Sequence, residues 1–349
     1  EGKSVASISS GQAATVVLNQ TPFYAESGGQ VGDTGTLYNQ DTSFVVKDTQ
    51  KQSEQFLHHG ELCKGELVVG SIFHASVNSD ERQATMLNHS ATHLMHAALR
   101  RLLGAHVTQK GSLVNQDYLR FDFSHNQALS DEELKQIEIL VNQQILQNSE
   151  VSMQSMGIEE AKAQGAMALF GEKYGDEVRV ITMGQTSDND FSVELCGGTH
   201  VNRTGDIGLF KIIQESGIAA GVRRIEAVTG LKALELVSDQ QERLEEIAKI
   251  LKSDNANIEQ KVEQLQKHNR DLEKQLEQLK AKLTSSTGND LTSQVIEIKG
   301  VKVLVAAIEG LDSKDLRATC DQLKNKLGSA VILLAAPLEE KVSLVAGVT

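Results

Sequence analysis

Two short motifs about a hundred residues apart place the strongest constraint on how this chain can fold. His89 and His93 occur in the sequence HSATH, and Cys196 and His200 occur in CGGTH. Together they supply four nitrogen and sulfur donors, which is the number of ligands that a tetrahedral zinc site needs. If all four bind one ion, segments that are far apart in sequence must meet in the folded protein.

The first motif lies in a segment with the hydrophobic pattern of a helix. Residues four apart on a helix share one face, so the imidazoles of His89 and His93 can share an ion. Taken alone, such a pair is more often a surface or core pair than a ligand pair. Position 90 is Ser, where zinc peptidases of the HExxH type have Glu, so the general base of that mechanism is missing. The sequence therefore does not favour a peptidase.

The second motif has Gly197 and Gly198 between its two donors, which predicts a tight turn where backbone passes close to a ligand. A free cysteine is usually a small core residue, and this is our interpretation of Cys63 and Cys320. The two motifs together favour zinc. Four protein ligands indicate a structural ion, because a catalytic zinc ion usually keeps one position open. The wide separation of the two pairs in sequence and their glycine-rich surroundings instead indicate that the ion lies in a cleft.

A third informative segment is TPFYAESGGQVGDTG, residues 21–35. Four glycines in so short a stretch predict a loop with several positive φ angles, or a loop pressed against a ligand. A plain hairpin connection is the alternative, and the residues leave both open.

Charge and cysteine usage exclude some classes of protein. The formal net charge of −13 argues against generic nucleic-acid binding. Two alternatives stay open for four arginines of the chain. They form a local basic face or they are ordinary solvated charges: Arg100, Arg101, Arg223 and Arg224. Three widely spaced cysteines predict a reducing cytoplasm rather than a disulfide framework. The longest apolar run, Ala330 to Ala336, is too short to cross a membrane.

A chain of 349 residues suggests more than one domain, and its composition changes along its length. Residues 1–80, with short β-prone runs between Gly, Asn and Asp, predict a small antiparallel β-barrel or sandwich. Residues 81–230 mix helices and strands and predict an α+β, zinc-binding domain. Its predicted helices are Ala84–Leu103, Asp131–Gln147 with Ser130 as N-cap, and Ile158–Phe170.

The rest of the chain predicts a helical coiled coil over 231–284 and a partial α/β domain over 285–349. The coiled coil is indicated by large apolar residues every seven positions, namely Leu244, Leu251, Ile258, Leu265, Leu272 and Leu279. A helix break is expected at Ser285–Asn289. Whether the partner helix lies in the same chain or in a second copy stays open, so a homo-oligomer is possible.

Several longer motifs resemble a known family. AESGGQVGDTG, HSATHLMHAAL, RFDFSH, FGEKYGDEVRV, ELCGGTHV and GVRRIEAVTG, in this order and spacing, resemble the editing half of bacterial alanyl-tRNA synthetases. The coiled coil and IKGVKVLVAAIEGLDSKDLRATCDQL resemble the start of the C-terminal domain of that family. The resemblance covers essentially the whole chain.

The resemblance implies a hydrolase that deacylates tRNA(Ala) wrongly charged with serine or glycine, with Zn²⁺ as cofactor. It implies that the metal residues are His89, His93, Cys196 and His200. Gln109 matches a family residue of the editing pocket, and Thr92 is a further candidate for the catalytic site. The expected substrate-binding residues are Ser27, Gly28, Gly29 and Gln30 of the SGGQ loop, with Arg223 and Arg224.

The family's aminoacylation core and glycine-rich C-terminal end are not matched, so we expect a piece of a longer cytoplasmic protein. ATP binding and alanine activation are expected of the full-length protein and not of this piece. The expected partner is tRNA(Ala), with no membrane. Two other hypotheses stay open. One is a non-catalytic, zinc-stabilised module for tRNA binding and assembly, which would form oligomers through the coiled coil or C-terminal domain. The other is a zinc hydrolase acting on a small molecule.

Overall fold

The computed structural model describes residues 3–163, 165–167, 175–187, 189–311, 313–338 and 341–349. The chain divides into two compact units, Glu1–Gln241 and Glu242–Thr349. No helix in the described ranges is long and apolar enough to span a membrane. The predicted division into four domains stays a prediction.

The first unit begins with an antiparallel sheet. Its strands, with two short ones that pair separately, are β1 (Ser7–Ser9), β2 (Ala13–Val17), β3 (Gly35–Tyr38), β4 (Ser43–Gln52), β5 (Gln55–Lys64), β6 (Glu66–Val68) and β7 (His74–Val77). The five-stranded order is β2-β5-β4-β3-β7, and β1 pairs with β6. Phe23, Leu37, Phe44 and Leu62 form the buried core of this region.

The predicted closed barrel is wrong for this region. A barrel requires its first and last strands to pair, whereas among the described residues β2 pairs only with β5 and β7 only with β3. The sheet is therefore open, with two edges. The short β-prone runs predicted strands correctly but carried no information about closure.

The rest of this unit mixes helices with two further antiparallel sheets, and the predicted α+β class is confirmed. Its elements are α1 (Ser79–Leu103), β8 (Gln109–Val114), β9 (Leu119–Ser124), α2 (Asp131–Gln147), β10 (Ser152–Gly157), α3 (Ile158–Ala163), β11 (Glu177–Gln185), β12 (Asp190–Leu195), β13 (Phe210–Ala219) and β14 (Val222–Thr229). The sheet orders are β13-β14-β9-β8 and β10-β11-β12. Helix α3 ends at Ala163, earlier than predicted, and residues 168–170 of the predicted helix lie outside the described residues.

Helix α1 is central because it carries the first pair of candidate ligands. The Asn78 side chain accepts a hydrogen bond from the backbone N–H of Glu81 and caps the helix. Every residue from Asn88 to Leu99 is buried. Helix α2 begins as predicted, with Ser130 and Glu133 forming a capping box.

Two helices follow, α4 (Gly230–Leu251) and α5 (Ile258–Leu291). The predicted coiled-coil helix is therefore interrupted. Lys252 has a φ of +51°, in the left-handed region, and Asp254 caps a short turn at Asn255–Asn257. The predicted break at Ser285–Asn289 is wrong, because α5 continues to Leu291. Heptad leucines are half exposed, for example Leu265 at 46%.

The second unit ends in a four-stranded sheet with one helix. Its elements are β15 (Ile296–Ile298), β16 (Val301–Ala307), α6 (Ser313–Leu327), β17 (Ala330–Leu338) and β18 (Lys341–Val348), in the order β15-β16-β17-β18. Strands β16 and β17 are parallel, and the partial α/β domain stays a prediction. Cys320 is buried here as expected, whereas Cys63 is exposed, so its interpretation as a core residue is wrong.

Candidate metal centre

The structure brings together the four predicted ligands of the two motifs. His89 and His93 lie on α1, and Cys196 and His200 lie in the turn that follows β12. All four side chains are buried, and one donor atom from each lies within 4.8 Å of the others. We call these four residues the metal cluster.

The spacing of the donors fits a tetrahedral ion. With zinc–nitrogen bonds of about 2.0 Å and zinc–sulfur bonds of about 2.3 Å, tetrahedral donors lie about 3.3–3.6 Å apart. In the metal cluster Cys196 Sγ lies 3.5 Å from His89 Nε2 and 3.3 Å from His200 Nε2. The residues therefore fit a zinc ion without large rearrangement.

In each histidine of the metal cluster, the ring nitrogen Nδ1 contacts a neighbouring side chain. His89 Nδ1 lies 2.7 Å from Gln30 Oε1, and His93 Nδ1 lies 2.6 Å from Glu194 Oε2. His200 Nδ1 lies 3.3 Å from the Oγ of Ser90, the residue that stands where peptidases have Glu. These contacts leave the Nε2 atoms for an ion, which is the common arrangement around metal-bound histidines.

The electrostatics of the cluster also favour a cation. Burial alone would raise the pKa of the Cys196 thiol, but the charges of His89 and His93 and a hydrogen bond from His200 hold this pKa well below its usual range. Burial and the charge of His89 lower the pKa of His200 to about 3. A thiolate and a neutral imidazole are the forms that bind zinc.

Beside the cluster lies a buried carboxylate with two histidines. Burial would lower the pKa of His93, but the negative charges of Glu194 and Cys196 raise it to about 10. Burial would raise the pKa of Glu194, whereas His96 and His93 hold it well below its usual range. His93 Nε2 is buried and has no hydrogen-bond partner among the described residues, as expected of an atom that faces an ion.

The two glycines of CGGTH differ in their surroundings. A Cβ on Gly198 would overlap the His89 ring and lie 2.7 Å from Gln30 Oε1, whereas a Cβ on Gly197 would meet nothing within 4 Å. Arg179 braces this turn, because its Nε donates to the Cys196 carbonyl at 2.9 Å and its guanidinium also contacts the Gly198 carbonyl. The close approach predicted for this turn thus occurs at one glycine.

The SGGQ loop is both a hairpin turn and a segment pressed against the protein. Ser27 and Gln30 exchange backbone hydrogen bonds at 3.2 and 3.0 Å, and Gly28 and Gly29 have φ angles of +59° and +89°. This is the geometry of a tight two-residue turn. The turn docks on β8, where the Val114 N–H donates to the Gly29 carbonyl at 2.7 Å.

A cavity of about 440 Å³ opens beside the metal cluster. Its walls include the two ligands His89 and Cys196, and the turn residues Ser27 and Gly28. The remaining lining residues are Tyr24, Ala25, Lys51, Phe56, Gly175, Glu177, Val178, Arg179, Gly197 and Gly198. A small molecule or the end of a larger one can therefore reach the cluster.

The other predicted site residues are engaged elsewhere, and among the described residues none of them lines this cavity. Gln109 is the half-buried first residue of β8, and Thr92 donates its hydroxyl proton to the Asn88 carbonyl at 2.8 Å. Arg223 pairs with Glu215, and Arg224 makes two bonds of 2.6 and 2.8 Å to Asp122. Their predicted roles stay predictions.

Arg100 and Arg101 are also engaged with the protein. Arg100 donates to the carbonyls of Ala105 and Val107, while Arg101 lies 4.4 Å from the centre of the Phe191 ring. Arg101 is nevertheless exposed, and the local basic face stays a prediction.

Sequence reasoning missed Glu194 and did not anticipate the contact between Gln30 and His89. A signal for Glu194 existed, because this acidic residue stands only two positions before Cys196 in the segment ELCGGTH. Gln30 offered no comparable signal, since the contact with His89 joins two separate motifs.

Comparisons with known proteins match two parts of the chain to family models. Residues 1–81 match the family model described as tRNA synthetases class II (A), and residues 178–226 match the threonyl and alanyl tRNA synthetase second additional domain. Over these two ranges the chain is therefore similar to class II tRNA synthetases and to this additional domain.

One of the relatives is an alanine–tRNA ligase. The chain is 56% identical over all 349 residues to alanine–tRNA ligase of Pseudomonas fluorescens, and it spans 40% of that enzyme's length. The chain is thus a homologue of a segment of alanyl-tRNA synthetase, and the predicted resemblance is confirmed.

Proposed function

We propose that this chain hydrolyses the ester of tRNA(Ala) mischarged with serine or glycine, as the editing part of an alanyl-tRNA synthetase. The observation that carries the proposal is the cavity whose wall contains the cluster ligands His89 and Cys196. The match to the second additional domain of threonyl and alanyl tRNA synthetases supports an editing type of domain.

The cofactor that the donor set fits best is Zn²⁺, held by the four residues of the metal cluster. When bound there, zinc supplies a positive charge that can anchor and polarise an oxygen or amine of the substrate. The chain's own residues supply the cavity walls that hold the aminoacyl ester in place. Hydrolysis of an activated ester depends strongly on such positioning.

Discrimination against alanine can follow from polar groups in the cavity. A pocket that forms hydrogen bonds with the serine hydroxyl rejects alanine, because those groups would be left unpaired. Ser27 and Glu177 line the cavity and can serve here. Gln109 stays a candidate through the resemblance, as a group that orients the ester, and Thr92 stays a candidate through its hydroxyl group.

Two residues that line the cavity are suited to contact the end of an RNA. Lys51 lies with its ammonium 5.8 Å from the centre of the Phe56 ring, and both line the cavity. An ammonium suits a phosphate, and a ring can stack on a base. With a net charge of −13, the affinity for tRNA rests on such local groups and falls with salt.

The remaining features of the proposal concern the whole enzyme. Because the chain spans 40% of its relative, alanine activation with ATP belongs in our proposal to the full-length protein. The same applies to a cytoplasmic location, to selection of tRNA(Ala) and to any homo-oligomer formed through the coiled coil or C-terminal region.

The test is deacylation of seryl-, glycyl- and alanyl-tRNA(Ala) by the 349-residue chain, with metal analysis in parallel. We expect rapid release of serine and glycine, slow release of alanine, and about one zinc per chain. Cys196→Ala should lose both zinc and activity, whereas the matched Cys63→Ala, at an exposed cysteine, should lose neither. Seryl-ester hydrolysis that persists in Cys196→Ala without zinc contradicts the site.

A second candidate function is a non-catalytic, zinc-stabilised module for tRNA binding. The observation that favours it is that all four donors come from the protein, as in structural zinc sites. Binding of tRNA(Ala) with no hydrolysis of its seryl ester would support this module. Hydrolysis of small esters in the absence of RNA would instead support a small-molecule hydrolase.

A further inference from the structure

Gln30 has the structural environment of a residue that holds the metal centre together. Its side chain is 1% exposed, although it belongs to the SGGQ turn at the edge of the cavity. Both atoms of its amide are bonded within the protein. Nε2 donates to Thr199 Oγ1 at 2.8 Å, and Oε1 accepts from the Thr199 N–H at 2.9 Å and lies 2.7 Å from His89 Nδ1.

These contacts determine the orientation of the amide. The backbone N–H of Thr199 can only donate, so the atom that faces it must be the oxygen Oε1. A flipped amide would place N–H against N–H at this position. The assignment of oxygen and nitrogen in the Gln30 side chain therefore follows from the hydrogen bonds themselves.

The orientation of the amide in turn selects the tautomer of His89. The same oxygen, Oε1, is the partner of His89 Nδ1, and an oxygen of this kind can only accept. Nδ1 must therefore carry the proton. In the neutral ring this leaves the lone pair on Nε2, which lies 3.5 Å from Cys196 Sγ inside the metal cluster.

Gln30 also connects the two motifs that supply the ligands. Its amide joins His89 of HSATH to Thr199, which directly precedes the ligand His200 in CGGTH. The backbone of Gln30 is fixed by the tight turn and by β8, since the Val31 N–H donates to the Val114 carbonyl at 3.0 Å. The N-terminal sheet region thus reaches the cluster through one side chain.

We propose that Gln30 is a positioning residue of the metal centre, which orients His89 and the CGGTH turn, rather than a residue that binds substrate. The proposal rests on the metal site of the proposed function, but not on its editing activity. It assigns to the SGGQ turn a role in preparing the ligands. Removing the partner of a metal-bound histidine typically weakens metal affinity about 10–100-fold.

The first test compares zinc affinity, by competition with a chelating indicator, in three variants of the 349-residue chain. Gln30→Met keeps the length and removes both polar atoms, and we expect zinc to bind about 10–100-fold more weakly. Gln30→Glu offers one oxygen to His89 and the Thr199 N–H and another to the Thr199 hydroxyl, so it should restore affinity. Thr199→Val removes only the bond to Nε2 and should bind zinc nearly as the parent does.

The absorption of the cobalt(II)-loaded proteins gives a readout that does not depend on turnover. If His89 binds the metal more weakly in Gln30→Met, the cobalt spectrum of this variant should differ from that of the parent. The spectrum of Gln30→Glu should match that of the parent. If Gln30→Met binds zinc as tightly as the parent and only raises the KM for seryl-tRNA(Ala), Gln30 contacts substrate and the proposal is overturned. A parent that binds no zinc overturns it as well.

A measurement on the parent alone covers the case in which Gln30→Met does not fold. Nitrogen-15 NMR of the zinc-loaded chain should show His89 protonated at Nδ1 and bound to metal through Nε2. Metal on Nδ1 would overturn the proposal. If the tautomer and the zinc affinities are as expected but no ester is hydrolysed, the editing function fails and the role of Gln30 stands.

Discussion

His93 Nδ1 lies 2.6 Å from Glu194 Oε2, and both side chains are almost completely buried. The other carboxylate oxygen, Oε1, lies 3.0 Å from Nδ1 of His96, one helical turn further along α1. One carboxylate therefore orients a candidate ligand and ties it to the neighbouring histidine. The metal cluster is thus connected, through Glu194, to a second buried histidine.

We expect Glu194→Gln to weaken zinc binding about 10–100-fold, because the amide N–H would face one of the two imidazole N–H groups. Chelator competition measures the loss. Ser192→Ala is the matched control, since it removes only the hydroxyl that donates to Glu194 Oε1 at 3.3 Å and leaves both histidine contacts. Parental zinc affinity in Glu194→Gln would show that this carboxylate does not support His93.

Zinc binding should release about one proton from the cluster near pH 8. The pKa of His93, raised to about 10, keeps this ring protonated there, whereas the pKa of the Cys196 thiol is held well below its usual range and the pKa of His200 is lowered to about 3. Zinc needs the neutral ring, so His93 must lose its proton, and apparent affinity should rise about tenfold per pH unit between about pH 7 and pH 9. Calorimetry in buffers of different ionisation enthalpy counts the protons. Release of two protons, or of none, would contradict these protonation states.

The two glycines of CGGTH should respond differently to the same substitution. Gly198→Ala places a methyl group into the His89 ring, and we expect a loss of zinc affinity together with about 1–3 kcal/mol of unfolding free energy. Gly197→Ala, which meets nothing within 4 Å, should keep both properties. Thermal unfolding and chelator competition measure the pair. Equal behaviour of the two variants would contradict the packing of His89 on Gly198.

Arg224 should contribute to stability through its two hydrogen bonds with Asp122. We expect Arg224→Gln to lower the free energy of unfolding by about 2 kcal/mol, because the mostly buried carboxylate of Asp122 loses a charged partner. A double-mutant cycle with Asp122→Asn should show coupling between the two residues. A higher KM for charged tRNA at unchanged stability would instead support the substrate role predicted from the sequence.

The parts of the fold that depend on local sequence were predictable. Helix α2 begins after Ser130 as expected, because a capping box is a local signal, and it has the predicted bounds, Asp131–Gln147. The strand pattern of the first region was also largely visible. Its closure was not, because pairing between edge strands depends on residues far apart in sequence. The heptad repeat predicted helices, but it did not show the turn at Asp254 that separates α4 from α5.

Sequence by itself determined the four donors of the metal cluster, since donor type and spacing are chemical properties of HSATH and CGGTH. It also determined the resemblance to alanyl-tRNA synthetases. Only the tertiary structure showed how the donors are oriented, through Gln30, Ser90 and Glu194. Those contacts join segments from different sheets and helices, and a hydrogen bond between distant segments leaves no periodic signal in either one. The same limit hid the pairing of Arg224 with Asp122, which is made only when β9 and β14 lie side by side.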